Sequence, residues 1–450
     1  MTGGKAMLNK IHFRILGVVA ALLTMMPLSV YAWTNHAYLT SPALQGRTEY
    51  QEKVSAEPLE AFLSKEKNKI AELLKAEETW AISNVKTYPA MPRSLNFITS
   101  KEPNLRIRFL KAIRVNPDLE LPLFVMVLPG SPIPKNKPLP KSAVSILKRD
   151  FQKNLYVQLA PGEKISALEV ISSASDEPDY GLDIGLWEDN GTLFGKEYGY
   201  GKQPFGNPKL SSGTQAPFHM GFYHESKIIY MAAPNYQKTL SEQRAHLYHS
   251  LARLAVQTGH PYWGYRFAGW GLHYLQDITM PYHSTLMPGR STITMLSIPI
   301  LDMIGIHGPM SRGVSEVSRG HYFIEKLLNE EMRDAFKNHQ EGYVMFKALG
   351  DTSTDATYPP YFDHFLSQVA AKESRAVAKS LPSILKAIIT DQKSYMDIER
   401  ISEAGDYDAE KFIAGAPEKD IQNYNRIIEK QMRSAGAFTR IYLRSLKKSE

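Results

Sequence analysis

The chain has 450 residues, a formal net charge of +7, 22% charged residues and no cysteine. The absence of thiols excludes disulfide stapling and cysteine-ligated metal, so any metal must be held by histidine, carboxylate and main-chain groups. The positive excess is too mild to argue for a nucleic-acid partner by itself, and the length suits one large domain or two ordinary ones.

Residues 1–32 read as an export signal. Lys5, Lys10 and Arg14 precede the apolar run ILGVVAALLTMM at 15–26, and Val30 and Ala32 satisfy the small-residue rule for cleavage after Ala32. The run is shorter than the roughly 20 residues a spanning helix needs. We therefore expect a secreted or periplasmic protein whose mature chain starts at Trp33 and carries a charge of +4, three cations and no acid having been removed. Next comes a helical stretch from about Ser55 to Trp80, with Leu59, Phe62, Leu63, Ile70, Leu73 and Leu74 on one stripe. From about 85 to 170 the texture changes. YPAMPR, LRIRFL, LELPLFVMVLPG, SPIPKNKPLP and LYVQLA read as short strands and loops. Between 172 and 222, glycines, prolines and acids do not support long helices. Helix returns at Ser241 in SEQRAHLYHSLARLAVQTG and WGYRFAGWGLHYLQDI, and most of 321–450 follows suit, with breaks near 350–360 and 405–417. The expected fold is mainly α: a helical domain over 33–340 with a β-rich or irregular insertion at about 85–170, and a helical extension over 341–450.

The densest chemical signal is HYLQDITMPYH, residues 273–283. A helix puts His273 and Asp277 on one face, one turn apart. Pro281 disfavours further helix, so His283 arrives just past the break. Two imidazoles and a carboxylate thus meet in a small region, a donor set suited to zinc. In GHYFIEKLL, His321 and Glu325 repeat the spacing on a second helix and supply the other half of a metal cage.

This set resembles the zinc-dependent phospholipases C of bacteria, whose fold the fungal single-strand nucleases share. The resemblance rests on HxxxD, PxH and HxxxE in that order, with a tryptophan at the expected mature terminus, and covers about 33–40, 175–225 and 241–330. It implies three zinc ions between helices. It also implies that Trp33 is a ligand through its α-amino nitrogen and carbonyl oxygen, which explains a cleavage site placed directly before a tryptophan. By the same resemblance, Asp179, His219, His273 and Asp277 take the first ion, and His283, His321 and Glu325 the second. Trp33, His36 and a bridging oxygen of Asp277 take the third. Asp179, in SDEPDYG, is preferred to Asp176 and Asp183, and His219 to His224. Spacing between Trp33 and His36 is shorter than in the well-known phospholipases.

The implied activity is hydrolysis of the glycerol-side phosphodiester of phospholipids such as phosphatidylcholine. Asp179 would orient or deprotonate the attacking water, and Tyr180 would line the choline pocket, since aromatic faces suit a quaternary ammonium; Phe218 is read as a second wall or else as a packing residue. The expected partner is phospholipid at a membrane surface, with neither nucleic acid nor a protein partner. The apolar stretch STITMLSIPILDMIGI, 291–306, is read as a lid or lipid-facing rim, or else as an added core helix. Two alternatives stand. One is a single-strand nuclease or nucleotidase on the same scaffold, with Trp187, Trp263 and Trp270 available for stacking. The other is a zinc-stabilised binding protein without turnover. His246 and His249 are read as packing or surface residues and His260 as a helix end, while His307, His339 and His364 carry no pattern.

Overall fold

The computed structural model describes residues 33, 35–135, 137–147, 154–303, 306, 308–398 and 408–447. The signal segment and His307 lie outside them. The chain is mainly helical, with 61% helix and 4% strand. The principal helices are α1 (His36–Leu44), α2 (Leu59–Lys65), α3 (Lys67–Asn84), α4 (Leu105–Ala112), α5 (Ala167–Ser175), α6 (Ser241–Gln257), α7 (Pro261–Thr279), α8 (Thr292–Met303), α9 (Gly308–Lys337), α10 (Val344–Gly350), α11 (Leu381–Ile388) and α12 (Glu418–Ser445). Among the described residues, no helix is long and apolar enough to cross a membrane.

The α7 helix is the axis of the molecule. Its side chains from Tyr262 to Thr279 are all buried, which explains a sequence apolar all round except for chemistry-bearing residues. It packs against α5, α6 and α12, so the C-terminal segment lies on the helix that carries HYLQD; α12 also touches α1 and α10. Gly269 permits the crossing with α5: a Cβ there would sit 2.6 Å from Ala174 Cβ and 2.7 Å from the Ile171 carbonyl oxygen. The backbone of α5 is thereby drawn against α7 where α5 ends, and that end holds two of the histidines.

Two local expectations change. The stretch from Ser55 to Trp80 is not one helix. Lys53–Ser55 pairs as a strand with Lys164–Ser166, and Glu66, at φ −106° and ψ 19°, breaks the helical run between α2 and α3. LRIRFL is helix rather than strand. The Asn104 side chain accepts a hydrogen bond from Ile107 N at 3.1 Å, capping α4, while Phe109 and Leu110 turn into the core. The rest of the 85–170 segment does contain the short antiparallel sheets its texture suggests, with Phe124–Val127 and Pro138–Leu139 flanking Leu155–Gln158. Between 172 and 222 only short helical pieces occur.

Candidate metal centre

Five pieces of chain meet at one end of α5. His36 opens α1, and its backbone N–H donates to Asp176 Oδ1 at 2.6 Å, an anchor at the positive end of the helix. Asp179 lies in the 3-10 turn Glu177–Tyr180 that follows α5. His219 ends the short helix Ala216–His219. His273 and Asp277 share one face of α7, and His283 follows in the turn Pro281–Ser284, held by Gly221 N donating to its carbonyl at 2.8 Å. His321 and Glu325 are one turn apart on α9, with Nε2 and Oε1 2.7 Å apart.

These side chains form three groups, the ligand atoms of each lying within 4.8 Å of one another: His36, His273 and Asp277; Asp179, His219 and His273, which shares His273 with the first; and His283, His321 and Glu325. Asp277 is the common neighbour. Its oxygens lie 3.3 Å from His36 Nε2, 2.9 Å from His219 Nδ1, 3.4 Å from His273 Nε2 and 4.0 Å from His283 Nδ1. The imidazoles of His283 and His321 meet edge to face, with centroids 4.9 Å apart. Every one of these eight side chains is buried.

Fixed acceptors decide which nitrogen of each imidazole faces inward. His273 Nδ1 donates to the Ser175 carbonyl at 2.8 Å, and His283 Nδ1 to the His219 carbonyl at 2.9 Å. His36 Nδ1 lies 3.0 Å from Gln276 Oε1, an amide whose orientation is set because its Nε2 donates to Thr40 and Thr439 hydroxyls. For all three, Nε2 is the nitrogen left with a lone pair. His219 is reversed: Nε2 faces Asp183 Oδ2 at 3.4 Å and Nδ1 faces the centre. His273 Nε2 and His219 Nδ1 therefore point at each other across 3.0 Å, an approach that two lone pairs tolerate only with a proton or a cation between them.

The donor set fits a metal ion. Neither oxygen of Asp179 has a hydrogen-bond partner, and neither has His283 Nε2, although all are buried. Orphaned acceptors of this kind cost free energy unless a cation satisfies them. The electrostatics agree. Burial, with Asp277 and Asp183 nearby, pushes the Asp179 carboxyl up to about 6 against the pull of His219 and His36. Burial also drives Glu325 well above the ordinary range and His283 down to about 4. At His219 burial opposes protonation, but Asp277, Asp183 and Asp179 outweigh it and raise the imidazole to about 10. The centre thus gathers five imidazoles and three carboxylates in a volume without solvent to help, where burial disfavours the charged forms of Asp179 and Glu325 unless a cation stands beside them. The described His/Asp/Glu groups could hold metal; their nitrogen and oxygen donors, with no sulfur, do not single out one element.

The remaining site residues are placed as follows. Trp33 is buried; its indole N–H donates to the Gln276 carbonyl at 3.1 Å and the Thr279 hydroxyl at 3.0 Å, and it shares a small cavity with Glu325. It therefore sits at the last turn of α7, near the metal-ligand candidate Glu325. Tyr180 is buried edge-on against Tyr156, its hydroxyl 3.8 Å from Met126 Sδ. Of the two readings for Phe218, the structure shows the packing one. Phe218 is packed between Trp187 and Tyr200 beneath the Arg244 guanidinium, because its backbone lies in the main hydrophobic core. His224 bonds the Ser367 carbonyl at 2.8 Å and is not in the cluster. His246 stacks on Trp80 and pairs with Glu77; His249 bonds Ser445; His260, between α6 and α7, is held by Glu57. His364 reaches Glu242 at 3.4 Å, and His339 closes α9 with a positive φ of 52°.

Sequence reasoning weighed Asp183 only as an alternative ligand to Asp179 and did not identify the supporting residues as such. Asp183 is the principal one: it accepts from Arg244 Nη2 at 2.8 Å and from the Tyr274 hydroxyl at 2.6 Å. Tyr274 is the residue after His273, and Gln276 precedes Asp277, so both were adjacent to the motif; nothing local marks Arg244 or Ser175. No protein-family model, no curated protein and no solved structure matches the chain.

Proposed function

We propose that this protein is an exported zinc-dependent phosphodiesterase that cleaves the glycerol-side ester of phospholipids such as phosphatidylcholine, releasing diacylglycerol and a phosphorylated headgroup. The observation that carries the reading is the convergence of eight His, Asp and Glu side chains, drawn from motifs far apart in the chain, on one buried centre with Asp179 left without hydrogen bonds. When bound, clustered zinc polarises phosphoryl oxygens and makes water acidic enough to act as a nucleophile near neutral pH.

The chain's own residues have distinct duties in this scheme. Asp179 has both carboxylate oxygens free to accept, so it orients the attacking water and takes its proton. Asp277 stands between the imidazoles as the shared carboxylate. His36, His273 and His283 are held with Nε2 inward by their Nδ1 donors, which fixes their tautomers before any ligand arrives. Removal of residues 1–32 would give Trp33 a free α-amine beside this centre. A lipid surface suits the exterior. Ile293 on α8 is 81% exposed, and Ile228 and Met231 are exposed on the Lys227–Ala232 helix that α8 contacts. The opposite face of α8 buries Met295 and Ile298, so this helix serves as core and rim together.

The nuclease alternative loses its stacking platform, because Trp187, Trp263 and Trp270 are all buried, the first two with their indole N–H groups bonded to main-chain carbonyls. The deciding experiment measures phosphocholine release from phosphatidylcholine vesicles by the mature protein, with zinc and with a chelator, beside single-stranded DNA. Chelator-sensitive release supports the reading, and DNA cleavage without lipid hydrolysis overturns it. Asp179→Asn should lower turnover by about 100-fold or more while retaining most of the zinc; unchanged turnover removes Asp179 from its role.

A further inference from the structure

A cavity of about 450 Å³ is lined by Tyr282, the residue before His283 of the metal centre. The Tyr282 ring, which lines the cavity, stacks on His321 at 5.6 Å between centroids and 19° between planes. The volume falls in the range of small-ligand sites, about 300–1,000 Å³. Its lining has two chemistries. Met287, Val317, Leu385 and Ile389 give an apolar interior, whereas Arg290, Arg319 and Lys386 bring three cations against one carboxylate, Glu316. Glu316 is already committed to Arg290. Arg319 has a buried Nε without a hydrogen-bond partner, and its guanidinium lies 5.8 Å over the Tyr395 ring. Lys386 is exposed at the rim, on α11.

The buried Nε–H of Arg319 lacks an acceptor, and an acidic ligand group would supply one while pairing with the exposed, uncommitted ammonium of Lys386. Apolar walls beneath those cations require that the ligand carry a hydrocarbon part as well. We propose that this cavity binds an anionic amphiphile, a single hydrocarbon chain ending in a phosphate or carboxylate, with the acid on Arg319 and Lys386 and the chain along Val317, Leu385 and Ile389. The site is separate from the metal centre and does not depend on the phosphodiesterase reading.

The test uses the metal-loaded mature protein and dodecyl phosphate below its micelle concentration, with binding read by calorimetry. Dodecanoate is the second acid; dodecyltrimethylammonium and inorganic phosphate are the controls. Saturable binding of dodecyl phosphate is expected, dodecanoate reporting whether a carboxylate serves as well, with weaker or no binding of the cationic chain and of phosphate alone. Lys386→Glu, an exposed change that leaves the core untouched, and Arg319→Gln should each weaken dodecyl phosphate by about tenfold or more, the worth of a charge-assisted hydrogen bond, with zinc content unchanged. Equal affinity for the cationic and anionic chains would overturn the proposal. So would wild-type affinity in both variants, or inorganic phosphate binding as tightly as the amphiphile.

Discussion

Replacing Asp183 by Asn tests the support of the centre without touching a candidate ligand of the three metal groups. Asp183 is fully buried and accepts from Arg244 Nε at 3.0 Å, Arg244 Nη2 at 2.8 Å and Tyr274 Oη at 2.6 Å, while facing His219 Nε2 at 3.4 Å. The arginine holds this carboxyl below its ordinary range although burial alone would raise it. Asparagine keeps the shape and removes the charge. Arg244, still bonded to the Ile113 and Arg114 carbonyls, becomes a buried cation without its counter-ion. Breaking a buried pair in this way costs about 3–5 kcal/mol. His219 also loses the carboxylate that orients its Nε2, and such outer partners are worth about 10–100-fold in metal affinity. Urea unfolding of the metal-free protein reads the first quantity, and competition with a chromophoric zinc chelator reads the second. Tyr274→Phe is the comparison: it removes one hydrogen bond, about 1 kcal/mol, and leaves the charge on His219's partner. Asp183→Asn protein that binds zinc as tightly as the parent would refute the positioning argument, whatever its stability.

Chelation should lower the thermal midpoint, because buried Asp179, Asp277 and Glu325 lose their cation; at free metal 100-fold above the dissociation constant the lost stabilisation is about 2.7 kcal/mol. A scan unchanged by chelator and by zinc re-addition would sink the metal assignment. Gly269→Ala should destabilise by about 1–3 kcal/mol, since its methyl would meet Ala174 and Ile171 on α5, and zinc affinity should fall with it because α5 carries the Ser175 carbonyl that fixes His273. Parallel loss measured by denaturation and metal titration is the expected pair of results. Burial, with Arg253 and His246 adding to it, pushes His249 down to about 3 from 6.5. The unfolded chain then binds the extra proton, so this contribution to stability is complete above pH 6.5 and is lost as pH falls from there towards 3, at up to about 1.4 kcal/mol per pH unit. His249→Gln should flatten the fall in thermal midpoint between pH 7 and 5 relative to the parent, and parallel curves would show that the imidazole is not the source.

How much of this was legible in the sequence follows from the range of the interactions. His273 with Asp277 and His321 with Glu325 are one helical turn apart, a relation the α-helix imposes wherever it forms, and Pro281 places His283 by ending that helix. The preference for Asp179 and His219 came from resemblance alone; the structure puts both in the cluster and puts His224 on a carbonyl of the C-terminal region. The mainly helical class was likewise readable from periodicity. The break at Glu66 and the capped start of α4 at Asn104 were not, because a stripe of leucines or a run such as LRIRFL fits either state until a partner surface and a cap choose.

What only the tertiary structure decided is the inward face of each imidazole, the second partner of each carboxylate, and the stacking of Tyr282 on His321. Those depend on Ser175 meeting His273, Gln276 meeting His36 and Arg244 meeting Asp183, pairs separated by 98, 240 and 61 positions. The sequence determined which donors exist and, within a turn of helix, which share a face. Packing of α5, α6, α12 and α1 around α7 determined which of them are dry, and a dry carboxylate without a donor is what gives the centre its call for a cation.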